Sequence, residues 1–114
     1  MKTGYATIKQ HADTINTIMK PSLALAAYRP AIRQVVESHR ASNPRIFGSV
    51  VHGKDTERSD LDILIDPTSD TTLFDIGAIR HELIQMLGIP VDVLTPKALP
   101  DKFRDRVLAD AEPV

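Results

Sequence analysis

Apolar residues along this chain recur with two different periods, and the places where the period changes mark its elements. From Ser22 onward, Leu23, Ala27, Ala31, Val35 and His39 return every four residues with Ile32 and Val36 beside them, a pattern that predicts a helix. Pro30 lies inside it, where its ring removes a hydrogen bond and crowds the preceding turn. Either the helix kinks there, or a second one begins with Pro30 at its first position. Asn43-Pro44 is expected to end the segment. The period then drops to two. Arg45 to Phe47 reads as a strand that closes on the small pair Gly48-Ser49, and a polar turn follows through Gly53. Leu61, Ile63 and Ile65 then alternate with polar residues in a second strand, Leu61 to Ile65.

Pro67-Thr68-Ser69-Asp70 is a loop. Thr72 with Asp75 three residues later resembles a capping box. It opens a helix whose stripe is Leu73, Ile76, Ile79, Leu83 and Leu87 and whose stop is Gly88. Ile89 to Leu94 forms a short strand closed by Thr95-Pro96. Leu99, Phe103 and Val107 mark a last amphipathic helix, about Pro100 to Asp110. Ahead of all this, Ile15, Ile18 and Met19 have helical spacing in an otherwise polar stretch, which suggests a short helix over Gln10 to Met19. Residues 1–21 are thus an N-terminal arm or short helix, and 22–114 one domain. The order helix, strand, strand, helix, strand, helix gives an α+β layer domain, a small mixed sheet with helices packed on one face. The other face is left open for a substrate.

Composition narrows the chemistry. A chain of 114 residues supports a single compact domain. With 14 basic and 15 acidic residues the formal net charge is −1, which argues against direct nucleic-acid binding. The absence of cysteine excludes disulfides and thiolate metal sites. No apolar run is long enough for a membrane span and no signal peptide is recognisable, so a cytoplasmic location is expected.

The candidate chemistry lies between Gly48 and Asp62. Asp60 and Asp62 are two apart and project together from the start of a strand, while Leu61 and Ile63 face the other way. Side-by-side carboxylates repel unless a cation lies between them, and magnesium accepts one or two carboxylates plus substrate phosphates. A bare Asp-X-Asp more often marks a solvated turn. Here Gly48-Ser49 stands upstream, separated from the pair by the ten residues Val50 to Ser59. Gly48 lets a phosphate approach the backbone, and the Ser49 hydroxyl with nearby amides can bind triphosphate oxygens. In Val91-Asp92-Val93 both valines face the core, which turns Asp92 toward the face that carries the pair. Lys54, Arg58 and Arg45 are near in sequence and either contact phosphates or are solvated. Asp66 shares the open face but is too far along the strand to be a metal ligand. His11 and His81 read as surface residues.

Gly-Ser, a spacer, Asp-X-Asp and a later carboxylate resemble the signature of the nucleotidyltransferase superfamily that includes DNA polymerase beta. The match is Gly48, Ser49, Asp60, Asp62 and Asp92. The stretch from Ala31 to Pro113, with Val91 to Leu99, is most similar to the minimal nucleotidyltransferases, stand-alone domains that act as antitoxins beside HEPN-type toxins. The resemblance implies Asp60, Asp62 and Asp92 as catalytic metal ligands for magnesium, two ions in all, with Gly48 and Ser49 on the phosphates of ATP. It also implies a HEPN toxin as partner and AMP transfer to one of its tyrosines. Two other functions suit the same residues: a non-catalytic antitoxin that neutralises by binding, and a small-molecule nucleotidyltransferase of the aminoglycoside type.

Overall fold

The computed structural model describes residues 19–114, so the helix expected over Gln10 to Met19 lies almost wholly outside the described residues. Helix α1 (Pro21–Ser38) leads into strand β1 (Ala41–Phe47), and a 3-10 turn (Gly48–Val50) and a polar loop connect this to β2 (Leu61–Pro67). Helix α2 (Leu73–Leu87) crosses to β3 (Val91–Leu94). A second 3-10 turn (Pro96–Ala98), helix α3 (Asp101–Asp110) and the short strand β4 (Glu112–Pro113) follow. The sheet order is β3-β2-β1-β4. β1 pairs antiparallel with both β2 and β4, and β2 pairs parallel with β3, so the expected mixed sheet is present.

The core lies between this sheet and helices α1 and α2. Leu61, Ile63 and Ile65 of β2 and Val91 and Val93 of β3 point into it, against Ile32 and Val36 of α1 and Ile79, Leu83 and Leu87 of α2. In α1 the buried line is Ala24, Leu25, Ile32 and Val36, whereas Leu23 and Ala27 of the four-residue repeat are exposed. The repeat breaks because Tyr28 leaves helical geometry (φ −127°, ψ 17°), two residues before Pro30, and rotates the second half of the helix relative to the first. Both alternatives for Pro30 are therefore partly realised. The helix kinks, and Pro30 sits in the first turn of the second segment, where its missing N–H costs nothing. Helix α2 begins with the expected capping box between Thr72 and Asp75 and stops at Gly88 in the left-handed conformation (φ 70°). Its first apolar residue, Leu73, is exposed together with Phe74. In the Leu99, Phe103, Val107 set only Leu99 is buried.

Strand β1 starts four residues earlier than expected, because Asn43-Pro44 interrupts the strand without ending it. Asn43 takes a positive φ of 52°, which Asn tolerates better than most residues, and the pairing with β2 shifts between Ser42 and Arg45. This is a β-bulge, the place in a ladder where a proline without N–H is accommodated. Strand β4 had no signal in the sequence. It is held by pairing with Arg45 and Ile46, by Val114 N–H on the Pro44 carbonyl at 2.9 Å, and by Arg33, which donates to the Val114 carbonyl at 2.8 Å. The second face of the sheet is also not bare along its whole length. Leu64, on the aspartate face, is fully buried, and the Pro96–Ala98 turn contacts β2 there. Arg104 of α3 stiffens that turn by donating to the carbonyls of Pro96, Lys97 and Leu99.

Candidate active site

The register of the sheet decides which carboxylates meet. Asp62 of β2 lies directly across from Asp92 of β3 and, on its other side, from Phe47 of β1. Gly48 therefore follows Phe47 at the position where β1 passes beside Asp62. It has φ +79°, and a Cβ added there would come within 3.3 Å of Asp62 Cγ and overlap its Oδ2. Glycine is required at this point twice over, for the backbone angle and for the space taken by the carboxylate.

Asp60 precedes β2 by one residue, and Leu61 N–H bonds to the Pro90 carbonyl at 3.0 Å, which fixes the entry of β2 against that of β3. The other two carboxylates both act on Asp62. Burial, then the charge of Asp92 and then that of Asp60 push the Asp62 carboxyl up to about 6. No cation among the described residues pairs with Asp60, Asp62 or Asp92. Among the described residues no three His, Asp or Glu side chains are drawn together closely enough to hold a metal ion, so Asp60, Asp62 and Asp92 do not form a ready-made metal site. What the register provides is Asp62 directly across from Asp92, with Asp60 at the entry of β2. That arrangement suits magnesium, whose remaining ligands commonly come from water and substrate phosphates.

Ser49 sits in the 3-10 turn after β1, and its carbonyl accepts from Lys54 N–H at 2.9 Å, which closes a turn beside the aspartates. Gly53 forms part of that turn with φ +66° and open space around its Cα. His52 reaches Asp110 of α3 at 3.7 Å.

Arg45 does not face phosphate. It forms a two-pronged pair with Asp66 at 3.1 and 2.9 Å, and Asn43 adds a third bond at 2.9 Å. The Arg45 hydrogen bond outweighs burial and, with Asn43 and the Arg45 charge, holds the Asp66 carboxyl below the usual carboxylate range. A cleft of about 450 Å³ lies beyond Asp66, lined by Pro67, Thr68, Thr95, Pro96 and Lys97 and by none of the three clustered carboxylates. It stands at the opposite end of β2 from the aspartates.

Asp55 was overlooked in the sequence. Its carboxylate is buried and accepts from Ser22 N–H at 2.9 Å, at the start of α1. Burial alone would raise it. Bonds from the Ser22 backbone and hydroxyl and from its own amide, with the charge of Lys20, outweigh burial and keep it below the usual range. No local signal marks it, because its partner is 33 residues away.

Comparisons with known proteins bear on the family and the fold. The family model for polymerase beta nucleotidyltransferases matches residues 32–114. A Methanocaldococcus jannaschii protein, provisionally named a protein adenylyltransferase, is 34% identical over 77 residues, 68% of this chain and 83% of that protein. A solved structure provisionally described as a minimal nucleotidyltransferase superposes with TM-score 0.74 at 34% identity, covering 82% of this chain and 95% of that one. A toxin–antitoxin crystal structure with AMP-PNP shares the fold at TM-score 0.60 and 16% identity, over 70% of this chain and 66% of that one. No helix among the described residues is long and apolar enough to cross a membrane. On the matched residues and the relatives together, the chain belongs to the polymerase beta nucleotidyltransferase family.

Proposed function

We propose that this protein is the antitoxin of a HEPN-type toxin–antitoxin pair and transfers AMP from ATP to a tyrosine of its partner. The observation that carries the reading is the uncompensated cluster of Asp60, Asp62 and Asp92 beside a glycine whose space the Asp62 carboxylate occupies. A merely structural cluster has no reason to leave three carboxylates without a cation, since the repulsion is costly. Relatives provisionally named protein adenylyltransferases, and the fold shared with a chain of a toxin–antitoxin crystal structure, support a protein acceptor.

In this mechanism the turn at Gly48 and Ser49 receives the triphosphate, with Gly48 allowing close approach and Ser49 donating its hydroxyl. Asp60, Asp62 and Asp92 would hold magnesium, which when bound offsets the charge developing on the attacking and leaving oxygens. The tyrosine oxygen attacks the α-phosphorus in line, the bond to the β-phosphate oxygen breaks, and pyrophosphate leaves. Asp92, at the edge of the cluster, accepts the phenolic proton. In this pair the partner supplies the tyrosine and the surface around it.

The test incubates the chain and its co-purified partner with α-labelled ATP and magnesium and follows mass and label on the partner. Transfer by the native chain and none by the Asp60→Asn, Asp62→Asn variant is expected. Neutralisation of the partner without label by either chain would replace the reading with inhibition by binding. Resistance to an aminoglycoside conferred by this chain alone would replace it with small-molecule transfer.

A further inference from the structure

The two halves of the candidate site are joined by ten residues, Val50 to Ser59, and most of these are exposed. They form two short closed turns. In the first, Lys54 N–H bonds to the Ser49 carbonyl at 2.9 Å and Gly53 N–H to the Val50 carbonyl at 3.2 Å, so this turn holds Ser49. In the second, Thr56 N–H bonds to Ser59 Oγ at 2.9 Å and Ser59 N–H to the Thr56 carbonyl at 3.0 Å, so this turn holds the residue next to Asp60. Asp55 stands between the two turns and belongs to neither.

Asp55 is also the one buried residue from Val51 to Asp60, at 9% exposure, and the only buried charged residue among those described. A carboxylate carried into a protein surface in this way needs a fixed donor. Its donor is Ser22 N–H at 2.9 Å, one of the free amides in the first turn of α1. Lys20, the residue in position to cap that helix, supplies no side-chain bond, so the loop does so instead. Two residues beyond Ser22, Ala24 and Leu25 are packed into the core, which makes the start of α1 a rigid support.

We propose that Asp55 is a positioning residue for the nucleotidyl transfer assigned above, and the inference rests on that assignment. By pinning the junction of the two turns to α1, it fixes the separation between Ser49 on the phosphates and Asp60 and Asp62 on the metal. Without the pin the turns stay closed but pivot about residue 55, and the halves of the site drift relative to one another. A displacement of about 1 Å in such a site costs about a hundredfold in rate.

The experiment compares Asp55→Ala, Asp55→Asn and the core variant Ile79→Val, all assayed well below their melting transitions. Asp55→Ala is expected to lower kcat by about ten- to a hundredfold, more than it raises KM for ATP. Asp55→Asn, which keeps an oxygen for Ser22 N–H, should recover most of that loss. Ile79→Val, which loosens the core without touching the loop, should stay within about twofold of native. Amide hydrogen exchange in residues 50–60 should speed up about tenfold in Asp55→Ala and remain native-like in Ile79→Val. The proposal is overturned if Asp55→Ala loses no more kcat than Ile79→Val, or if exchange in residues 50–60 is unchanged. A native chain that transfers no AMP would instead overturn the assigned reaction, and exchange alone would then decide whether Asp55 pins the loop.

Discussion

Asp62 and Asp66 stand four residues apart on the same face of β2, in opposite electrical surroundings. Asp66 is held by both arms of Arg45 and by Asn43, and its carboxyl lies below the usual range. Asp62 has Asp60 and Asp92 for neighbours and is pushed up to about 6 by burial and their charges. One strand thus carries a carboxylate already satisfied by the fold and one left short of positive charge. The difference separates a residue that secures the bulged end of β1 from one that the proposed function assigns to a cation.

The widest separation should appear in catalysis. Asp62→Asn should lower transfer about a thousandfold, as the loss of a group that stabilises developing charge would. Asp66→Asn, a change near the surface, should cost less than about threefold. Comparable losses from both, in a single-turnover assay of partner labelling, would erase the distinction. Next in size is Gly48→Ala. It forces a side chain into positive φ and into the Asp62 carboxylate, so transfer should fall about a hundredfold. Urea unfolding should show about 1–3 kcal/mol of lost stability in the same variant.

The stability effects are smaller, and their pH trends run in opposite directions. Asp66 has a lowered folded pKa, so its contribution is present above the unfolded value of 3.8 and is lost as pH falls through the folded one. Because Asp66 is 42% exposed, Arg45→Met should cost only about 1 kcal/mol near neutrality, an effect that fades between about pH 5 and pH 2. Asp62 has a raised folded pKa, so its contribution is present below 3.8 and is lost as pH rises toward about 6. Melting in a chelator should therefore find Asp62→Asn no more stable than native near pH 4. At pH 7 it should be more stable by on the order of 1 kcal/mol, a figure already discounted for solvent around a partly buried group. Parallel pH profiles for the two variants would contradict the electrostatics described here.

The sequence was most legible where structure is local. The alternation of Leu61, Ile63 and Ile65 with Asp60 and Asp62, the capping box at Thr72 and the stop at Gly88 each rest on neighbours a few residues apart. Gly48 was recognisable as a close-approach glycine, and the group the fold brings against it is Asp62 of the next strand. Long-range partners were hidden. Arg45 finds Asp66 across a bulge, Asp55 finds a helix terminus 33 residues away, and β4 exists only because β1 has an edge to receive it. Leu73 fits the helical stripe by spacing yet remains 85% exposed, with Phe74 beside it 90% exposed. Periodicity reports which residues share a side of an element, and says nothing of where the surface beneath it stops.

The parallel pairing of β2 with β3 has a consequence for the order of events in folding. Gly48, Asp60 and Asp62 come together through an antiparallel pair joined by a short loop, a contact that forms early because little chain must be closed. Asp92 joins them only after α2 has been laid across the sheet and β3 has zipped alongside β2, a later and less local step. The part of the cluster that carries Gly48, Asp60 and Asp62 therefore forms first, and Asp92 joins it last. The opposition of Asp62 and Asp92 is opened by any event that peels β3 from the sheet, and the same event draws Val91 and Val93 out of the core.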